Sequence, residues 1–243
     1  MFFVLVHGGW HTGAGWDAVI GALRSAGHDA TAPTLAGHGH GVAKRDITHA
    51  DSTASVVDLF EQEGITDAIL VGHSYGGSII QKAAEQIAHR IRRLVFYNAF
   101  VLEDGQCLLD ENPPHYRELA QALAAESINN SFSLPFEICR DAFFNSVDLA
   151  TARALWETHF SPQPLRPFQD KLDLKRFYEL TLPRSYLNCT EDVALPPGPK
   201  YGWHPRMSNR LGLYRLVQMP GDHEALVTDP NLLAQKLVAA GRD

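Results

Sequence analysis

The run Leu70-Val71-Gly72-His73-Ser74-Tyr75-Gly76-Gly77 constrains this chain more than any other stretch. Ala68 to Val71 is continuously apolar, as a strand buried on both faces should be. Residues 75–90 then place Ile79, Ile80, Ala83 and Ala84 at helical spacing. Between the two, Gly72-x-Ser74-x-Gly76 has to turn the chain sharply from strand to helix. Glycine on either side of Ser74 removes β-carbons that such a turn cannot hold, and leaves the serine at its apex. The string alone is common in proteins; the strand before it and the helix after it make Ser74 a candidate nucleophile.

The same alternation runs through most of the chain. Phe2 to Val6 reads as a buried strand, followed by the glycine-rich His7-Gly8-Gly9. Helical spacing over 16–26 is closed by Gly27, and a strand is expected near 29–33. A helix over 51–63 stops at Gly64, and strands are expected at 93–97, 183–189 and 213–217, with a closing helix over 229–240. Strand and helix in turn predict an α/β fold, a mostly parallel sheet of about six strands with helices on both faces. From Val101 to Thr181 the pattern changes to helical pieces near 115–125, 137–158 and 165–178 without a convincing strand. Residues 1–100 and 182–243 are therefore expected to form one core, with 101–181 inserted as a helical cap above the sheet.

A serine hydroxyl is a weak nucleophile unless a base takes its proton. Of twelve histidines, His223 alone follows the final expected strand in a polar turn, Pro220-Gly221-Asp222-His223. The carboxylate that would orient it belongs just past the preceding strand, where Glu191 and Asp192 stand together; Asp192 is preferred. The order Ser74, Asp192, His223 is that of an α/β-hydrolase. Attack on a carbonyl builds an oxyanion, for which the backbone amides of Gly9 and Tyr75 are the expected donors.

Net charge is −7 and the basic residues are scattered, which argues against nucleic acid as a partner. Cys107, Cys139 and Cys189 form no paired spacing, so neither a disulfide framework nor a metal site is expected. The six-residue apolar start lacks a basic flank and reads as a strand rather than a leader. No run approaches the roughly 20 apolar residues of a membrane span. A cytoplasmic protein without cofactor is the expectation.

These motifs together resemble the α/β-hydrolase superfamily, and within it the plant methylesterase and hydroxynitrile lyase branch with its bacterial relatives. Phe3-Val4-Leu5-Val6-His7-Gly8 is similar to that branch's opening strand, Leu70 to Ser74 to its nucleophile turn, Tyr186 to Asp192 to its acid-bearing strand, and Gly221-Asp222-His223 to its histidine turn. The lyases carry threonine after the first-strand histidine, glutamate before the nucleophile and lysine after the catalytic histidine. Here Gly8, His73 and Glu224 occupy those places, and a glutamate cannot hold developing cyanide as the lysine does. The resemblance thus implies a serine esterase acting on a small carboxylic ester, of the methyl or aryl kind, and a homodimer. Acyl transfer from the same acyl-enzyme, a non-catalytic small-molecule carrier or receptor, and a cofactor-independent oxygenase are the competing readings. Trp10, His11, Trp156 and Phe136 are the expected substrate contacts.

Overall fold

The structure, a computed structural model, describes residues 1–242. Six parallel strands build the main sheet: β1 (Phe2–Val6), β2 (Asp29–Thr31), β3 (Ala68–His73), β4 (Ile91–Tyr97), β7 (Arg184–Cys189) and β8 (Arg215–Met219), in the order β2-β1-β3-β4-β7-β8. Between β4 and β7 lies a two-residue antiparallel pair, β5 (Ser131–Phe132) with β6 (Gln163–Pro164). That pair falls where no strand is expected. At two residues each, its strands are too short to show a period.

Side chains alternate across each strand, so the two sheet faces bury different sets. Phe3, Leu5, Ile69, Val71, Val95 and Leu187 face α1 (Asp17–Ser25) and α11 (Pro230–Gly241) through Val19, Leu23, Leu233 and Leu237. Val4, Val6, Leu70, Leu94 and Phe96 face the other way, onto Val56 and Phe60 of α2 (His49–Gln62) and Ile79, Ile80 and Ala83 of α3 (Gly76–Ile87). A parallel sheet covered on both faces explains why these strands read as solid apolar runs.

Several boundaries differ from expectation for local reasons. Helix α2 begins at His49, because Thr48 and Asp51 form a reciprocal capping box. The single helix expected over 137–158 is two, α5 (Phe136–Ala142) and α6 (Leu149–His159); Asp148 restarts the second by accepting the Ala150 and Thr151 amides. The helix expected over 165–178 likewise divides into α7 (Arg166–Gln169) and α8 (Lys175–Glu179). The last strand is shifted by two residues from 213–217, since Leu213 is 96% exposed in a turn and Arg215 is the residue that pairs with Ser185. The remaining helices are α4 (Pro114–Ala125), α9 (Arg206–Asn209) and α10 (Ala225–Thr228). Among the described residues no helix is long and apolar enough to cross a membrane, and the three cysteines are free and buried.

The turn after β3 leaves no room for β-carbons at Gly72 and Gly76. A β-carbon on Gly72 would lie 2.5 Å from the Gly76 carbonyl oxygen, and one on Gly76 would lie 2.7 Å from that of Val6. Both obstacles are backbone, which cannot move aside as a side chain can. Gly72→Ala is therefore expected to cost about 3 kcal/mol of stability. Thermal melting should read that as a fall in Tm of roughly 6–12 °C, and an unchanged Tm would show that the turn can open.

Candidate active site

Ser74 caps the strand-to-helix turn with φ +51°, the left-handed region that a serine occupies only when its surroundings hold it there. They do so through three backbone hydrogen bonds. The Ser74 amide donates to the Tyr97 carbonyl at 3.2 Å, and the Ser74 carbonyl accepts from Gly77 (3.0 Å) and Phe100 (3.1 Å). The side chain is 7% exposed, at the wall of a cavity.

His223 leaves β8 in the Pro220–Glu224 turn and borders the same cavity. Its Nδ1–H donates to Asp192 Oδ2 at 2.6 Å, which leaves Nε2 as the nitrogen with a lone pair. Asp192 Oδ1 accepts the Ala194 amide at 2.8 Å, and Oδ2 also accepts from Asn98 Nδ2. Glu191, the alternative acid, is exposed and its Oε2 accepts the Gly221 amide at 3.2 Å instead. Burial pulls the His223 pKa down, but the charge and hydrogen bond of Asp192, with the charges of Glu224 and Asp222, outweigh it and leave the ring above the ordinary histidine value. The imidazole stacks on Trp203, with ring centroids 5.3 Å apart.

Gly9 and Tyr75, the expected amide donors, both border the cavity. Tyr75 stands directly before α3, where unpaired amides and the helix dipole favour negative charge. The Gly9 amide is aimed by His7. Its Nε2 accepts the Leu35 amide at 3.0 Å, so Nδ1 carries the proton and donates to the Gly8 carbonyl at 2.8 Å. Burial and the neighbouring His38 hold His7 neutral, well below the usual histidine range. In a trans peptide the carbonyl and the next N–H point oppositely, so fixing the Gly8 carbonyl fixes the Gly9 N–H.

The cavity holds about 690 Å³ of empty space, its mouth included. Above Ser74 its walls are apolar and come largely from the stretch between β4 and β7: Leu108, Leu109, Phe132, Ile138, Phe143 and Phe168. Among the described residues no Asp, Glu, Lys or Arg lines it. Of the four expected substrate contacts, Trp10 is on this wall and His11, Trp156 and Phe136 are not. Phe136 packs under the Arg153 guanidinium, 3.6 Å from the ring centroid. Trp156 faces a second hollow on the far side of Trp10. His11 is 1% exposed and turns toward Glu224, which is equally buried and also off the wall. Aromatic composition marked these residues, but composition does not say which face of an element points at Ser74.

Two residues that the sequence reading passed over support the site. Asn98, with φ +35°, ties the end of β4 to the acid-bearing loop after β7, since its Oδ1 accepts the Cys189 amide at 2.6 Å while Nδ2 reaches Asp192. Gln163 is fully buried, and its Oε1 accepts from the Trp10 amide (3.1 Å) and from His38 Nε2 (2.9 Å), holding the loop after β1 from above. Neither sits in a recognisable motif; a polar residue just beyond the central strand was the one available signal for Asn98. Among the described residues no group of three or more His, Cys, Asp or Glu could hold a metal ion.

Comparison with known proteins places this geometry in context. Residues 3–236 match the model of the alpha/beta hydrolase family. The carbendazim-hydrolysing esterase of Nocardioides sp. is 31% identical, over 98% of this chain and 99% of its own. Salicylic acid-binding protein 2 of Nicotiana tabacum is 27% identical, over 97% of this chain and 95% of its own. Among solved structures, an extracellular α/β-hydrolase of a Paenibacillus species, described as sharing structural and functional homology with the tobacco protein, is 43% identical. It superposes with a TM-score of 0.96 over the full length of both chains. A strand-turn-helix serine, a histidine after the last strand, a facing carboxylate and a match over nearly the whole length lead to one conclusion: the chain belongs to the α/β-hydrolase family.

Proposed function

We propose that the protein is a carboxylic ester hydrolase that works through an acyl-enzyme on Ser74. The observation that carries this reading is the 2.6 Å contact of Asp192 with His223 Nδ1, which presents a basic Nε2 in the same cavity that Ser74 lines. Ser74 Oγ attacks the ester carbonyl as His223 Nε2 takes its proton. The Gly9 and Tyr75 amides stabilise the resulting oxyanion, each worth roughly 3–4 kcal/mol of barrier. Collapse breaks the C–O bond, and the imidazolium returns the proton to the departing alcohol. Water, deprotonated by His223, then releases the acid and restores the serine.

Among the described residues no Asp, Glu, Lys or Arg lines the cavity, which favours an uncharged ester with an apolar or aromatic acyl part. The esterase names of the relatives point the same way. The test is reaction with a fluorophosphonate probe, read by intact mass, followed by product analysis with aryl and methyl esters. A single adduct and release of the free acid support the reading; a folded protein that takes no probe overturns it.

His223 must be neutral to act as base, and its pKa is raised. The rate constant kcat/KM should therefore climb with pH through an inflection above the ordinary histidine value of about 6.5. A profile from about pH 5 to 9 checks this, and an inflection below that value would mean that Asp192 does not dominate the ring's surroundings.

A further inference from the structure

One buried pair next to the active site has no part in the mechanism above. Glu224 Oε2 lies 2.9 Å from His11 Nε2, and both side chains are 1% exposed. The contact has ion-pair separation without hydrogen-bond alignment: Glu224 Oε2 and both His11 ring nitrogens lack hydrogen-bond partners. Taking a carboxylate out of water is costly unless a partner faces it, and the group that faces Glu224 Oε2 is the His11 imidazole. The ring is shut in by Phe160, with centroids 4.7 Å apart, and a β-carbon on Gly15 would come within 3.2 Å of its Nδ1.

What the pair joins makes it more than a packing detail. His11 follows two residues after Gly9, the amide donor beyond β1, and Glu224 directly follows His223 beyond β8. In the sheet β3, β4 and β7 lie between those two strands, so no strand ladder connects the loops. We infer that Glu224 is a positioning residue, which through its buried contact with His11 clamps the loop bearing the Gly9 amide to the turn bearing His223. The inference rests on the serine-hydrolase reading above.

Charge adds a second effect of the same residue. A negative Glu224 beside the turn favours the imidazolium that forms when Ser74 gives up its proton, in the same sense as Asp192 and Asp222. The other titratable groups around the pair do not mimic it. Burial holds His73 of β3 and His159 of α6 below the usual histidine range, and pushes Tyr97 of β4 and Cys139 of α5 above their ordinary values, so all four stay neutral near pH 7. Asp222 lies in the same turn, where it accepts from Ser146, Thr228 and the Glu224 amide.

Five variants separate the clamp from the charge. Glu224→Gln keeps the shape and removes the charge, so the acid limb of kcat/KM should move to lower pH. Glu224→Leu and His11→Leu each strand the other partner and should lower kcat/KM by roughly a hundredfold. The double variant His11→Leu/Glu224→Leu should be at least tenfold more active than the product of the single losses predicts, because no buried group is left without its partner. Glu224→Asp keeps the charge and should keep the wild-type limb. Thermal melts accompany each variant; if a leucine variant does not fold, the kcat/KM plateau of Glu224→Gln decides, since losing the charge that faces His11 should lower it roughly tenfold. A Glu224→Gln plateau of kcat/KM equal to wild type, or in folded variants leucine effects that simply multiply, overturns the clamp, and a Glu224→Gln limb that coincides with wild type overturns the charge effect. Wild-type protein inert to fluorophosphonate would instead overturn the hydrolase reading and this inference with it.

Discussion

Ser74→Ala is expected to lose ester hydrolysis by roughly a millionfold in kcat while the protein stays folded. The loss is that large because the remaining groups act only through the serine. With no Oγ to deprotonate, His223 has no proton to accept, and the Gly9 and Tyr75 amides stabilise no covalent intermediate. What survives is water attack on a bound ester, helped by those amides alone. Fluorophosphonate labelling should vanish in the same variant. The backbone of residue 74 already sits at φ +51° under three hydrogen bonds, and alanine meets the same steric cost there as serine, so Tm should change little. A variant that keeps more than about a thousandth of wild-type activity would mean a different nucleophile.

The second large effect is expected at Asp192. Asp192→Asn should lower kcat/KM roughly ten-thousandfold, whereas Glu191→Gln should change it by no more than about twofold, as for an exposed side chain outside the site. Asp192 accepts three donors, His223 Nδ1, Asn98 Nδ2 and the Ala194 amide, on its two oxygens. An amide has one oxygen and one NH2, so in either orientation a donor would face a donor. The imidazole answers by moving its proton to Nε2, the nitrogen that should receive the serine proton. Steady-state kinetics on an activated ester would check both variants. Equal losses at Glu191 and Asp192 would show that the acid-bearing loop matters for its shape rather than for one carboxylate.

Much of this was legible without coordinates because it depends on short-range order. A strand covered on both faces must be apolar throughout, so β1, β3 and β4 announced themselves, and the glycines around Ser74 marked a turn that admits no β-carbon. The choice between Glu191 and Asp192 was not legible in the same way. Neighbouring residues after a strand point in different directions, and which of them meets His223 depends on how the loop leaves Cys189. The Asn98 bridge from the end of β4 takes part in that geometry. The errors have a common origin as well. Asp148 looks like one more polar residue on a helix until it is seen capping α6. His11, Trp156 and Phe136 were named for ring chemistry, and none of them lines the cavity above Ser74.

By itself, then, the sequence determined the alternating α/β architecture, the turn that presents Ser74, and the chain order of Ser74, Asp192 and His223. All of these follow from patterns within a few residues, where backbone sterics and burial leave little choice. Tertiary structure alone decided which carboxylate meets His223, which aromatic rings wall the cavity, and that Glu224 turns to His11 rather than to substrate. Those contacts join loops far apart in sequence, as His11 and Glu224 do, or set one side-chain direction against another. Packing of the whole molecule settles them, and no local pattern carries that information.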